Sequence, residues 1–403
     1  MYKKNFDAIV IGGGYTGCST AYFLTKAGMD VALIEMNSIC SGASGRNGGQ
    51  VIQLEGREEL TKEKIIKRNS ITGLNKRLLE SLNNELECDI EFIKNGSLDV
   101  AFTEEEADII KKVMEIQYET GDKGVEFIGP DRIKDICPAY GDNFVGAKLR
   151  HDDGSVNPFK MTHGLAFAAQ RKGMKIYTRT KVLSLIFKSS KVIGVKTDNG
   201  EFFADKAVIN ATNAWSKLLI EEYPIIPCKI LGFVTEQLPI IPIQSVEAYP
   251  GEFAIYGSSQ KHGNILIGGA PYSYPKNMED HLSQDVSFMD FKRYGDVFKF
   301  TWPNVKEVSF IRAWAGAVGF TPDSYPLVGP TKYDNFYING GFTNGNSWCP
   351  ICGKLLAEYI LKGGKTTVPI DFLNPERFSI HTFEWPKEYN YTVLHNYITQ
   401  MMG

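Results

Sequence analysis

Asp7-Ala-Ile-Val-Ile-Gly12-Gly-Gly14-Tyr-Thr-Gly17 is the stretch on which the fold turns. An apolar run that stops at glycines reads as a buried parallel strand. Gly12-x-Gly14-x-x-Gly17 follows it, and Cys18 to Ala27 reads as a helix closed by Gly28. Met29 to Ile34 is a second strand ending at Glu35, which makes a βαβ unit. The first glycine permits a tight turn, the second lets a pyrophosphate approach the backbone, and the third lets helix and strand pack closely. Tyr15 and Thr16 then sit where unpaired N–H groups and the helix dipole face phosphate. Glu35, followed by Met36, is placed to accept hydrogen bonds from ribose hydroxyls. A glycine triplet alone is weak. Strand, glycines, helix, strand and acid in that order specify a dinucleotide site, without choosing between flavin and nicotinamide.

Outward from this unit, Glu58–Glu87 and Glu104–Thr120 have helical periodicity, with a strand near Ser97–Phe102 between them. Pro158–Lys172 reads as a helix and Lys175–Tyr177 as a strand. A meander follows: Val182–Phe187, Val192–Thr197, the turn Asp198-Asn-Gly200 and Phe202–Ala204. Ala207–Asn210 is a further buried strand. Pro224–Ile243 is rich in Pro and β-branched residues, and strands continue at Ala254–Tyr256 and Ile265–Ile267. A helix lies near Asp290–Phe300. Strand Phe336–Asn339, a Gly-rich loop and helix Cys352–Leu361 end the pattern. No repeat or low-complexity linker separates these parts, so the domains are expected to interleave.

Composition bounds the function. The chain has 403 residues, 43% hydrophobic and 23% charged, with a formal net charge of -3. That is ordinary for a globular protein and argues against a nucleic-acid partner. No apolar run approaches the roughly eighteen residues of a membrane span. Seven cysteines without framework spacing fit a reducing cytoplasm. The basic start, Met1-Tyr-Lys-Lys4, runs directly into the nucleotide motif and is not read as a signal peptide.

Directly after Glu35 comes Ser41-Gly-Ala-Ser-Gly-Arg-Asn-Gly-Gly-Gln50. It is too glycine-rich for an element interior and suits close backbone approach to a planar ring. This loop resembles the flavin loop of the D-amino acid oxidase superfamily. That group includes glycine oxidase, sarcosine oxidase, D-amino acid dehydrogenase, the β subunit of L-proline dehydrogenase and γ-glutamylputrescine oxidase. Further segments resemble the family in the same order: Asp153-Gly-Ser-Val-Asn-Pro158, Asn210-Ala-Thr-Asn-Ala-Trp-Ser216, Arg312-Ala-Trp-Ala-Gly316 with Thr321-Pro-Asp323, Asn339-Gly-Gly-Phe342 and Pro375-Glu-Arg-Phe378.

The resemblance implies an α/β fold: a Rossmann-like FAD-binding domain interleaved with a mixed-sheet α+β substrate domain. The expected division is 1–54, 141–229 and 305–380 for FAD, 55–140 and 230–304 for substrate, and 381–403 as a tail. The cofactor contacts it implies are Gly12, Gly14, Tyr15, Thr16, Gly17, Glu35, Met36, Ser44, Gly45, Arg46, Asn47, Gly48, Gln50, Val182, Ala211, Trp215, Gly316, Gly341, Asn344, Gly345 and Asn346. The implied reaction is hydride removal from the carbon beside an amine nitrogen, followed by imine hydrolysis, with a secondary amine or imino acid favoured. The flavin carries the hard step, so no strong acid–base pair is required.

Three departures from the family sharpen the expectation. Some members bind flavin through a Cys where this chain has Gly316, so FAD is expected to be non-covalent. Glycine oxidase and D-amino acid oxidase place an Arg shortly after the Trp-Ala-Gly motif to hold a carboxylate. Here the run is Gly316-Ala-Val-Gly-Phe-Thr321. Arg46 is a candidate clamp, since its fork matches a carboxylate, and also a candidate partner of the flavin or of its own loop. The strand Asn264-Ile-Leu-Ile-Gly268 lacks the Lys that helps monomeric sarcosine oxidase use oxygen. That leans toward a dehydrogenase with an electron-accepting partner. A peroxide-forming oxidase, a flavin-carrying relay subunit and a hydroxy-acid dehydrogenase are the rivals.

Trp348 is a second candidate beside the substrate, with core packing as its plain alternative. Cys349-Pro-Ile-Cys352 reads as packing, a redox dithiol or half a metal knuckle. No second CxxC exists and the six histidines lack ligand spacing, so no metal is expected. The tail aromatics Phe383, Trp385, Tyr389 and Tyr391 could dock on this chain or on a partner.

Overall fold

The computed structural model describes residues 4–53, 61–239, 245–248, 255–260, 262–272 and 277–378. The tail expected at 381–403, the last residues of Pro224–Ile243 and the first of Ala254–Tyr256 lie outside the described residues.

Strand β1 (Lys4–Ile11) is central to the first sheet. It pairs in parallel with β2 (Val31–Ile34) on one side and with Gly200–Asn210 on the other. The full order is Leu327–Pro330, Phe336–Gly340, Gly200–Asn210, β1, β2, Lys175–Tyr177. All are parallel except the first pair. The meander Val182–Lys188 and Lys191–Thr197 hangs from Gly200–Asn210.

The unbroken apolar run has a two-sided cause. Successive strand residues point to opposite faces. Ala8, Val10, Val31 and Leu33 join one core with helix α1 (Tyr15–Lys26), and with helices Lys62–Glu85, Pro158–Arg171 and Ile351–Leu361. Ile9, Ile11, Ala32 and Ile34 join another, with Val192, Val195 and Phe202. From Ala8 to Ile11, where both faces are covered, every position is buried and apolar, whereas Lys4, Asn5 and Asp7 lie at the less buried start of β1.

The second sheet runs Phe310–Phe320, Ile226–Thr235, Ile265–Gly269, Ile255–Ser259, Ser245–Ala248, Ser97–Ala101, Gly146–Arg150, Val125–Ile128. Its pairs are antiparallel except Ser97–Ala101 with Ser245–Ala248, so the sheet is mixed. Leu231, Phe233, Ile265 and Ile267 pack against Tyr294, Phe298 and Trp302 on and after helix Phe288–Thr301. A capping box at Ser287 and the buried Asp290 starts that helix.

The division of the chain differs from expectation at identifiable points. Strands Gly146–Arg150 and Phe310–Phe320 and the start of Ile226–Thr235 belong to the second sheet. Helix Lys62–Glu85 packs into the first core through Ile71, Leu79 and Leu82. Phe202–Ala204 and Ala207–Asn210 are one strand, with a register shift against β1 between Phe6 and Ala8. Each discrepancy concerns segments whose apolar content cannot say which sheet they join.

A buried ionic network ties the two halves together. Lys76, on helix Lys62–Glu85, reaches Asp152 at 2.6 Å and Asp153 at 3.2 Å. Asp153 accepts from Ser97 Oγ at 2.8 Å and from the Gln53 amide at 3.0 Å. Burial pushes the Asp153 carboxyl up, against Lys76 and Arg150, which favour its charge. Removing one partner of such a set strands the other. Lys76→Met is therefore expected to destabilise the protein by about 3 kcal/mol in urea unfolding; a change under about 1 kcal/mol would show the network to be dispensable.

Candidate functional site

A single cleft of about 910 Å³ runs from the C-terminal end of β1 to the inner face of the second sheet. That is near the top of the usual range for small-molecule sites, roughly 300–1,000 Å³. Its first end is built by the glycine turn. Gly12 has φ +108°, and a Cβ there would lie 2.6 Å from the Ala211 carbonyl oxygen. A Cβ on Gly17 would lie 1.9 Å from the Gly12 carbonyl oxygen. Only glycines allow the helix to start this close to the strand, with Gly14, Tyr15 and Thr16 on the cleft wall.

Glu35 closes this end. One carboxylate oxygen accepts from the Gly13 amide at 2.7 Å and the other from the Asn37 amide at 2.8 Å. The bonds fix a carboxylate in the cleft wall, where its remaining lone pairs can take hydroxyl donors. Thr180, Lys181 and Val182 border it, with Met36.

The loop 41–50 forms the middle wall. Ser44 Oγ accepts from the Tyr15 amide at 2.9 Å, so this loop caps the start of α1. Asn47 Nδ2 donates to the Ala43 and Ser44 carbonyls at 3.0 and 2.9 Å. Asn47 Oδ1 accepts from the Gly49 amide at 2.8 Å and from Asn346 Nδ2 at 3.0 Å. Gln50 Nε2 donates to the Gly257 and Val246 carbonyls at 2.9 and 3.2 Å, joining the loop to the second sheet. Ala211, Trp215, Gly316, Asn344 and Gly345 complete the lining with Gly48 and Asn346.

Arg46 bridges the two halves. Its guanidinium donates to the Ser41 carbonyl and, at 2.7 Å, to Gln284 Oε1, while its own carbonyl accepts from Trp314 Nε1 at 2.8 Å. Burial and then the nearby Arg312 lower its pKa. Of the roles open to it, bonding within its own loop and across to Gln284 is the one the geometry displays.

Several expected residues shape the cleft without lining it. Gly17 packs on Gly12, and a Cβ on Gly45 would meet the Cys40 carbonyl oxygen at 2.2 Å. Gly341 has φ +80° and donates to Asn213 Oδ1 at 2.8 Å. Trp348 lies outside the lining. It is 7% exposed and meets the Tyr325 ring edge-on at 6.1 Å, in the first core. Its apolar bulk is used there, so it is corrected from a substrate contact to a packing residue.

Other residues emerge only in three dimensions. Asn213, at φ +49°, accepts from the Gly341 and Phe342 amides and fixes the last glycine loop. Asn favours that conformation more than most residues do, and Asn213 also falls within the family-like segment Asn210–Ser216, which gave no hint of its bond to the glycine loop. Tyr256, Tyr272, Leu282, Gln284 and Arg293 come from the second sheet and its helices and had no motif. Cys349 lines the cleft and Cys352 is buried behind it, and neither is disulfide-bonded. Burial pushes both thiols up, which disfavours the thiolate that redox exchange or metal binding needs. Among the described residues, no cluster of three His, Cys, Asp or Glu could hold a metal, and no helix is long and apolar enough to cross a membrane.

The cleft fits an FAD. It combines a glycine turn and helix start for pyrophosphate with a fixed ribose-facing carboxylate and a flat glycine-rich wall. Asn346 Oδ1 is buried on that wall without a hydrogen-bond partner, as a group awaiting a ligand donor would be.

The comparisons with known proteins agree. The family model described as DAO, FAD dependent oxidoreductase, matches residues 7–359. Human mitochondrial dimethylglycine dehydrogenase is 28% identical over 94% of this chain and 45% of its own length. The chain thus spans about half the length of that relative. Sarcosine oxidase subunit beta of Rhodobacter capsulatus is 27% identical over 90% of this chain and 86% of its own. Among solved structures, L-proline dehydrogenase from P. horikoshii superposes with a TM-score of 0.81 at 27% identity, covering 94% of this chain and 99% of that one.

Gly17→Ala is expected to leave the purified protein with less than about a tenth of its flavin absorbance, since overpacking of about 1–3 kcal/mol falls directly on the phosphate turn. Acid precipitation of the parent protein is expected to release the flavin into the supernatant. A yellow pellet would mean a covalent bond.

Proposed function

The chain belongs to the DAO family of FAD-dependent oxidoreductases, and on that premise we propose that it oxidises the C–N bond of an amine or amino acid, a secondary amine or imino acid by preference. One observation carries the reading. The cleft is continuous from the nucleotide turn to a mostly apolar chamber under the second sheet, where Ile230, Val318 and Phe320 face the loop that holds Arg46 and Gly48. A substrate there is sandwiched between the sheet and the cofactor wall.

When bound, FAD would supply the acceptor for the hydride, with its two electrons, that leaves the carbon beside nitrogen. The protein's part is position and exclusion of water. Tyr256, half-buried and bonded through its hydroxyl to the Leu231 carbonyl at 2.8 Å, gives the chamber a rigid wall. Burial raises its pKa, so it stays neutral and is no base. Among the described lining residues no pair is arranged to take the amine proton, so the substrate is read as entering as the free base. The product imine hydrolyses in water to a carbonyl compound and ammonia or an amine.

We assign dehydrogenase chemistry in preference to oxidase chemistry. Strand Ile265–Gly269 brings no lysine to the chamber. Among the described cleft-lining residues the one lysine is Lys181, beside Val182 at the nucleotide end. A second reading, a flavin-carrying subunit that relays electrons, is favoured by the likeness to a protein named as a subunit. Partner-chain co-purification, with no substrate reducing the isolated chain, would support it.

The test is anaerobic titration of the flavin-loaded protein with amines and amino acids. Bleaching by a secondary amine or imino acid is expected, with slow recolouring in air. For the substrate so found, kcat/KM is expected to rise about tenfold per pH unit below the amine's pKa and then level off. A flat profile would refute free-base binding.

A further inference from the structure

Strand Val182–Lys188 is the outermost of the meander. Among the described residues it pairs with Lys191–Thr197 and with no other strand, so one edge is open. Leu183, Leu185 and Phe187 recur at alternate positions and therefore share one face. Leu183 is 49% exposed and Phe187 46%, while Leu185 is half-buried against the core that Ile9 and Ile11 join. The strand's one charged residue is Lys188, at its end. Folded chains keep an apolar edge from pairing with strangers by placing charge or proline along it, or by covering it. A single terminal lysine is a weak guard, which leaves a cover.

The described chain leaves the fold beside this face. Arg377 grips Asp323 through Nε and Nη2 at 2.7 and 2.8 Å. Glu376 Oε1 accepts from the Lys332 amide at 2.8 Å. The next residue, Tyr333, meets the Phe187 ring edge-on at 5.3 Å. Phe378 packs on the same core as Leu185. Residues 379–403 follow, and they include Phe383 and Trp385. At about 3.3 Å per residue those two rings lie within roughly 17 and 23 Å of Phe378. The row from Leu183 to Phe187 is only about 13 Å long. Phe159 and Phe167 on helix Pro158–Arg171 and Phe288 on helix Phe288–Thr301 are exposed too, but those helices pack into cores that Phe378 does not join.

We propose that strand Val182–Lys188 is a docking surface for this chain's own residues 379–403, with Phe383 and Trp385 covering Leu183 and Phe187. Val182 and Leu183 also line the nucleotide end of the cleft, so the cover borders that end from outside. The inference is independent of the substrate.

Hydrogen exchange of the flavin-loaded full chain, compared with its Phe383→Ser/Trp385→Ser double variant, tests it. Amides of residues 182–188 are expected to exchange at least about tenfold faster in the variant, a change within the span of local opening equilibria. Equal exchange there in the two proteins overturns the proposal. So does a change confined to helix Pro158–Arg171 or helix Phe288–Thr301, which would put the segment on those faces. The parent is measured again after about tenfold dilution. Unchanged protection supports docking within one chain, whereas protection lost on dilution means that a second copy supplies the segment and overturns it. Phe187→Ser tests the receiving side. There the emission of Trp385, taken as the difference between proteins with and without Trp385→Phe, is expected to shift to the red and to be quenched more readily by iodide. Emission that is the same in Phe187→Ser as in the parent overturns the assignment.

Discussion

Gly17 lies against the carbonyl of Gly12 with no room for a single methyl group, and the rest of the structure is arranged around that contact. It sets how closely α1 approaches β1, and so where the helix N-terminus lies. The flavin loop is positioned from there, because Ser44 Oγ accepts the Tyr15 amide and thereby caps the helix. Asn47 then carries the position onward to Asn346, and Gln50 carries it to the second sheet. A chain of short polar bonds thus transmits one steric constraint from the nucleotide turn to the substrate chamber. Polar bonds suit this task better than apolar packing, because their geometry is directional.

The second sheet has a divided role. One face is filled by Tyr294, Phe298 and Trp302 and is an ordinary core. The other is a roof, with Ile230 and Tyr256 over the cleft and Leu266 against Gly48. Strand alternation produces both faces from the same segments: Leu231 is core and Ile230 is roof. The chamber can therefore change its lining without disturbing the core. The ionic network at Lys76, Asp152 and Asp153 keeps the roof at a fixed height by joining helix Lys62–Glu85 to the corner beside Gln53.

The legible parts of the sequence were those whose physics is local. β1, α1 and β2 could be read because the stretch of strand covered on both faces, Ala8–Ile11 and Val31–Ile34, is wholly apolar, and because the glycine turn is needed at fixed spacing. Glu35 could be read for the same reason. Strand Phe310–Phe320 could not, since Arg312, Ala313, Trp314 and Ala315 alternate no more clearly than a loop would. Trp348 was placed near substrate by its neighbourhood in the chain, whereas its ring turns to Tyr325. Phe202–Ala204 and Ala207–Asn210 were divided because Asp205 and Lys206 interrupt the apolar pattern. In the fold that interruption sits at a register shift, where polar residues are tolerated.

Arg293 shows why the chamber's charge was the least legible feature. A cation's role depends on what surrounds it in space. On its helix Arg293 is one of several basic residues, with Lys292 and Lys299 exposed to solvent. What sets it apart is the segment 270–272 folding back to present a carbonyl to it, and that segment follows a strand paired with Ile226–Thr235. Three parts of the chain must meet before the residue lines the cleft. The glycine motif, by contrast, needs only its own turn. The nucleotide turn is thus encoded locally, while the lining of the chamber is encoded in contacts between distant segments. That division lets the roof vary its charge while the nucleotide site stays constant, since none of Asp290, Arg293 and Tyr294 takes part in the contacts at Gly12 and Gly17.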